Sequence, residues 1–207
     1  HSVDLARVKR ETQTRRGAGE SELWAGAVVD KDPVHDDMPS EVEDAQVLLL
    51  NEPVEVEETD VDTQVNLESP DQLDQFLDQE EQQLREMVDQ IAATGANVVF
   101  CQKGIDDLAQ HYLAKEGILA VRRAKKSDLE FLANLLDTGI VSDLSSATGA
   151  NVASGTVTRD ADDELFYVES DAEKAHGVTL LLRGSTDHVV DELERGLQFV
   201  DDVVGGA

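Results

Sequence analysis

The sequence predicts an α/β fold in which a β-sheet core is flanked by helices, and three observations carry that expectation. Residues 91–133 read as a continuous β-α-β-α unit. Residues 69–91 read as one long helix with matching terminal chemistry. Short apolar runs at 47–50, 165–168 and 178–182 supply further strands for the same core.

Within the β-α-β-α unit, residues 98–101 are apolar without interruption and follow the turn Thr94-Gly95-Ala96-Asn97. That is the pattern of a strand covered on both faces. From Ile105 to Glu116, Ile105, Leu108, Ala109, Tyr112 and Leu113 fall on one helical face, and Gly117 stands where a helix-ending glycine belongs. Residues 118–121 form the next strand, parallel to the first through a right-handed crossover. Ser127 then opens a helix with the capping box Ser127-x-x-Glu130. Leu129, Leu132, Ala133 and Leu136 make its sheet-facing stripe, while Phe131 and Leu135 make a second stripe that must be covered by another layer or serve as a binding face.

The other elements are predicted as follows. Residues 2–22 are polar, with a short strand near 5–8 and a turn at 15–19. Residues 23–29 read as one strand carrying Trp24, and 30–39 as a loop held irregular by Pro33 and Pro39. Val54, Val56, Val61, Val65 and Leu67 alternate loosely in half-exposed extended chain. For the long helix, Ser69 is the N-cap, Pro70 takes the first helical position and Asp71 lies at the positive end. Its apolar residues cluster near both ends and leave the stretch between Phe76 and Leu84 almost wholly polar. Residues 137–163 read as turn-rich connection, in which ATGANV at 147–152 repeats the words of 93–98 as a reused turn before a strand. Residues 186–196 read as a final helix.

Composition bounds the function. The chain has 207 residues, enough for one domain of ordinary size with a modest appendage, and 40% hydrophobic content builds its core. A single cysteine, Cys101, excludes an internal disulfide and fits a reducing cytoplasm. No apolar stretch approaches a membrane span. The start at His1 is read as the mark of a segment from a longer protein. Charge divides the chain unevenly: residues 91–133 hold six bases and five acids, a net of +1, while the remainder carries −29 of the total −28. Such an acid excess disfavours nucleic acid and anionic membrane as partners. Its even spread over helices and turns matches the solvated surface of a protein from a salt-rich cytoplasm, where screening tolerates self-repulsion.

No chemistry-bearing motif stands out. There is no Gly-x-x-x-x-Gly-Lys-Ser/Thr loop and no Gly-x-Gly-x-x-Gly turn after a strand. His35, His111, His176 and His188 are scattered, so no metal site is assigned, and neither Asp36-Asp37 nor Asp162-Asp163 is marked as a catalytic pair. Arg122, Arg123, Lys125 and Lys126 are expected to pair with neighbouring carboxylates or to orient subunit contacts. No catalytic residue is assigned.

IAATGANVVFCQKGIDDLAQHYLAKEGILAVRRAKKSDLE closely resembles the apical domain of group II chaperonins, the archaeal thermosome subunits and their eukaryotic cytosolic relatives. GAVVDKDPVHDDMP, SPDQLDQFLDQEEQQLREMVDQI and VTLLLRGSTDHVVDELERGL agree in order and spacing, so the resemblance spans nearly the whole chain. It implies an apical-type fold at 23–185, a helical lid protrusion at 60–91, and intermediate-domain ends at 1–22 and 186–207. It also implies non-covalent capture of unfolded polypeptides by Phe131 and Leu135, with Met38 from the adjacent loop, and a lid contribution from Leu73, Phe76 and Leu77. Other subunits of a stacked double ring would be partners, and ATP and magnesium would bind the full-length parent outside this segment. In the register of ELERGLQFVDD, Phe199 stands where the family places the aspartate that positions the attacking water. A second reading is a free-standing α/β domain that binds a small anion or nucleotide near residues 102–104 and 122–126; a third is an intersubunit scaffold.

Overall fold

The computed structural model describes residues 8–13, 22–24, 26–56, 70–162, 164–171 and 178–183, with backbone only in the strands at 8–13, 22–24 and 178–183. The strands are β1 (Val8–Gln13), β2 (Glu22–Trp24), β3 (Ala27–Val29), β4 (Glu41–Leu50), β5 (Val98–Cys101), β6 (Leu119–Val121), β7 (Val152–Asp160), β8 (Leu165–Ser170) and β9 (Val178–Arg183). The helices are α1 (Pro70–Ala93), α2 (Asp107–Lys115) and α3 (Lys126–Leu136).

Six strands form the main sheet in the order β3-β8-β7-β4-β5-β6. The uninterrupted apolar runs become its parallel half: Val47 pairs with Val98, and Val98 with Leu119. Every residue of β5 and β6 is buried, as expected where both faces of a parallel sheet are covered. The strands β7, β8 and β3 continue the sheet antiparallel. A smaller sheet pairs β9 with β1 in parallel and with β2 antiparallel. The helix α3 packs on β3, β4, β7 and β8, α1 packs on α2, and α2 on β6. Phe100 and Phe166, both fully buried, meet edge to face at 6.4 Å inside the core.

Three expectations need correction. The strand expected over residues 23–29 is two strands, because β2 pairs with β9 in the small sheet while β3 pairs with β8 in the large one. The stretch expected to be turns contains β7, one of the inner strands. Its two fully inward positions are Gly155 and Val157, and a glycine leaves no apolar mark in the sequence. The capping box at Ser127 does not form: the helix begins at Lys126, so Ser127 lies in its first turn and Lys125 is the N-cap, with no side-chain hydrogen bond.

A lysine at that position is doubly unfavourable, since it offers no acceptor to the first-turn amides and adds positive charge to the positive end of the helix. Lys125→Ser is therefore expected to raise the unfolding free energy by about 1 kcal/mol. Urea denaturation at constant salt measures it, and a variant no more stable than the parent would contradict the cap assignment.

The two ATGANV segments share words but not conformation. In the first, Gly95 has φ +83° and the Thr94 hydroxyl donates to the Ile91 carbonyl. In the second, Thr148 caps a 3-10 turn (Gly149–Asn151) with a reciprocal Asn151 bond. Each leads into a strand, as a reused turn should.

Candidate functional surface and family

Along α1 the apolar residues are divided by burial. Leu84, Val88 and Ile91 lie at i, i+4 and i+7 and are the helix's buried positions. Residues 70–79 are exposed throughout. Among them, Leu73, Phe76 and Leu77 stand at i, i+3 and i+4 with 44%, 44% and 51% of their surface accessible. The same helical spacing that would build a core contact thus makes an apolar stripe open to solvent. These are the residues to which the family resemblance gives a lid contribution.

The second apolar stripe of α3 divides between the two readings left open for it, cover by another layer and a binding face. Phe131 is half-buried and packs partly against the core. Leu135 is fully buried, together with Leu129, Leu132 and Leu136. The reason is helical geometry: Asp128, Leu132 and Leu135 follow i, i+4, i+7, and the buried arc of α3 is wide enough to include that row. Met38 is also buried; its thioether accepts the Ala120 N–H at 3.3 Å, and the Val34 N–H reaches the Ala120 carbonyl at 3.0 Å. Leu135 and Met38 are therefore core and edge-closing residues, and of the three candidates only Phe131 keeps accessible surface.

The basic cluster pairs with neighbouring carboxylates only in part. Lys126 approaches Glu130 at 3.8 Å on the exposed side of α3. Among the described residues, Lys103, Arg122, Arg123 and Lys125 have no carboxylate at ion-pair distance. The loops that carry them are tied together by Arg123 N–H to Lys103 O at 3.0 Å and Ala124 N–H to Cys101 O at 2.9 Å. The Glu55 carboxylate lies directly over Gly104, where a side chain would collide with it, so an acidic side chain already occupies the space above these strand ends. This speaks against a small-anion site there. Beside it the Cys101 thiol is pushed up to about 11, first by burial and then by Glu55 and Glu52, so it stays a protonated, inert core group.

Where α1 meets α2, a polar cluster forms that the sequence did not reveal. The Tyr112 hydroxyl donates to Glu81 Oε1 at 2.7 Å. Arg85 donates to the same oxygen from Nε at 3.2 Å and from Nη2 at 2.8 Å, and its guanidinium lies over the Tyr112 ring at 4.6 Å from the centroid. The Tyr112 hydroxyl, and next Arg85, hold the Glu81 carboxyl below its ordinary range, while desolvation and the same hydrogen bond raise Tyr112. Glu81 and Arg85 stand at i, i+4 on one helix, while Tyr112 is 31 residues away and had only the spacing of an ordinary packed position.

Among the described residues no three His, Cys, Asp or Glu side chains are grouped to hold a metal, and no helix is long and apolar enough to cross a membrane. Phe199 and the expected helix at 186–196 lie outside the described residues.

Residues 1–202 match the TCP-1/cpn60 chaperonin family. Thermosome subunit beta of Halobacterium salinarum is 70% identical over 97% of this chain and 36% of its own length. Thermosome subunit 2 of Haloferax volcanii is 68% identical over 99% of this chain and 37% of its own. The chain thus spans little more than a third of these curated relatives. Among solved structures, the open-state monomer of a group II chaperonin from Methanococcoides burtonii superposes with a TM-score of 0.76 at 37% identity, covering 97% of this chain and 44% of that one. The sequence resemblance, the sheet topology and these matches agree, and the chain belongs to the TCP-1/cpn60 chaperonin family.

Proposed function

We propose that this chain is the apical part of a subunit of an ATP-dependent protein-folding chaperonin, with residues 23–185 as the apical domain and 60–91 as its protrusion. It binds unfolded polypeptides without covalent chemistry and lends the free half of α1 to a lid. Its partners are unfolded clients and neighbouring subunits of a stacked double ring in the cytoplasm, with ATP and magnesium bound in parts of the subunit beyond this chain. The observation that carries the reading is the exposed stripe Leu73, Phe76 and Leu77 on an otherwise acidic helix. Non-native chains expose apolar surface, and an apolar stripe rimmed by charge can hold them with little sequence selectivity. Phe131 on α3 is the second proposed contact.

Two variants test this in the subunit that carries the chain: Leu73→Ser/Phe76→Ser/Leu77→Ser, and Phe131→Ser. Both sites lie outside the fully buried core, so circular dichroism should match the parent. Capture of a chemically denatured, labelled protein should fall severalfold in the first variant and measurably in the second. Undiminished capture by both would reject the reading.

A further inference from the structure

The free half of α1 behaves as a lever. Its buried positions, Leu84, Val88 and Ile91, all lie in the C-terminal half, and residues 70–79 touch solvent throughout. At a rise of 1.5 Å per residue, a tilt of roughly 10° at Glu81 would move Leu73 by about 2 Å. Leu84, Val88 and Ile91, with half-buried Met87 and Ala92 beside them, hold only the C-terminal half against the body, and apolar contacts of this kind set no particular exit angle for the half beyond Glu81. The joint with α2 is also incompletely filled: a cleft of about 150 Å³ lies between Arg85, Val88, Asp89, Tyr112, Lys115 and Glu116.

Glu81, Arg85 and Tyr112 sit where the buried row ends and the free half begins. We propose that these three side chains form a latch that fixes the angle at which α1 leaves the body, and so positions Leu73, Phe76 and Leu77. The geometry is directional in a way the apolar contacts are not. One carboxylate oxygen, Oε1 of Glu81, receives the Tyr112 hydroxyl from α2 and two Arg85 nitrogens from the next turn of α1. The guanidinium is at the same time stacked on the ring that carries the hydroxyl. Rocking α1 away from α2 breaks the Tyr112 bond and unstacks Arg85 together, so the cluster resists one motion through two contacts at once. The inference deepens the proposed function by naming what positions its surface, and it rests on that reading only for what the surface does.

The test measures position and not capture, so the two can fail separately. In the full chain, spin labels at Gln75→Cys on the free half of α1 and Ser127→Cys on α3 report the lever by pulsed dipolar spectroscopy. Cys101 is buried and is not a labelling site. A control pair, Ser127→Cys with Glu116→Cys, reports the body. Tyr112→Phe removes only the hydroxyl, and Glu81→Gln removes the charge that holds Arg85. Each should broaden or shift the 75–127 distance distribution and leave the 116–127 distribution unchanged, with Glu81→Gln the larger effect. An unaltered 75–127 distribution in both variants would overturn the latch. Equal broadening of the control pair would overturn it too, since the cluster would then act on general rigidity.

Discussion

Leu135→Ala is expected to destabilise the chain by about 2–5 kcal/mol, whereas Phe131→Ala, one turn earlier, should cost much less. Leu135 is fully buried among Leu129, Leu132 and Leu136, in the layer where α3 lies on β3, β4, β7 and β8. Truncating it removes apolar atoms from the core and leaves a void that the helix and the sheet cannot both close on. Phe131 is half-buried, so water can take the place of its lost ring. Urea unfolding of both variants at one fixed salt concentration decides the matter. A Leu135→Ala cost below about 1 kcal/mol, or one no greater than that of Phe131→Ala, would mean that α3 is rotated from the orientation described. A serine at 135 could not report on client capture, because loss of the fold would be read as loss of grip.

Gly155→Ala should also destabilise, and here the sign is informative. In most strands alanine improves on glycine by roughly 0.5–1 kcal/mol, since glycine loses more backbone freedom on folding. At position 155, however, an added Cβ would run into the carbonyl oxygen of Glu169 on β8 and touch Leu136 Cδ2 at 3.4 Å. The first neighbour is backbone, held in register by the pairs Gly155 with Ser170 and Thr156 with Glu169. It cannot move aside without loosening an inner pair of the sheet. Overpacking of this kind costs about 1–3 kcal/mol, and Gly155→Val should exceed the alanine variant. A stabilised Gly155→Ala protein in the same urea measurement would refute the close approach of β7 and β8.

These two positions mark what could be read in the sequence. The parallel half of the sheet was legible because β5 and β6 are apolar on both faces, and the helices were legible by spacing, whereas the N-cap of α3 was misread at Ser127. Leu73, Phe76 and Leu77 were singled out by the family resemblance, since their spacing taken alone is that of an ordinary surface helix. By contrast, β7 was hidden because Gly155 buries backbone in place of a side chain. Leu135 was misplaced because periodicity defines rows on a helix, while the width of the buried arc depends on how closely the helix lies on its sheet. Met38 was misplaced for a different reason, since its partner is the backbone of a strand 82 residues away. The cluster of Glu81, Arg85 and Tyr112 joins two helices through side-chain tips, and no one-dimensional spacing encodes that.

The contact between Met38 and β6 bears on how the main sheet is kept from growing. Parallel to β5, the three-residue strand β6 ends the main sheet, and a bare margin there would invite any extended chain to add itself as the next strand. An unfolded polypeptide is a supply of such chains. The outward amide and carbonyl of Ala120 are instead both taken, one by the Met38 sulfur and the other by the Val34 N–H. Arg159 anchors the same loop through the Lys31 carbonyl at 3.0 Å and the Asp32 carboxylate at 2.6 Å. At Ala120 this margin of the sheet therefore offers an incoming extended chain neither a donor nor an acceptor, and polymerisation by strand addition is blocked there.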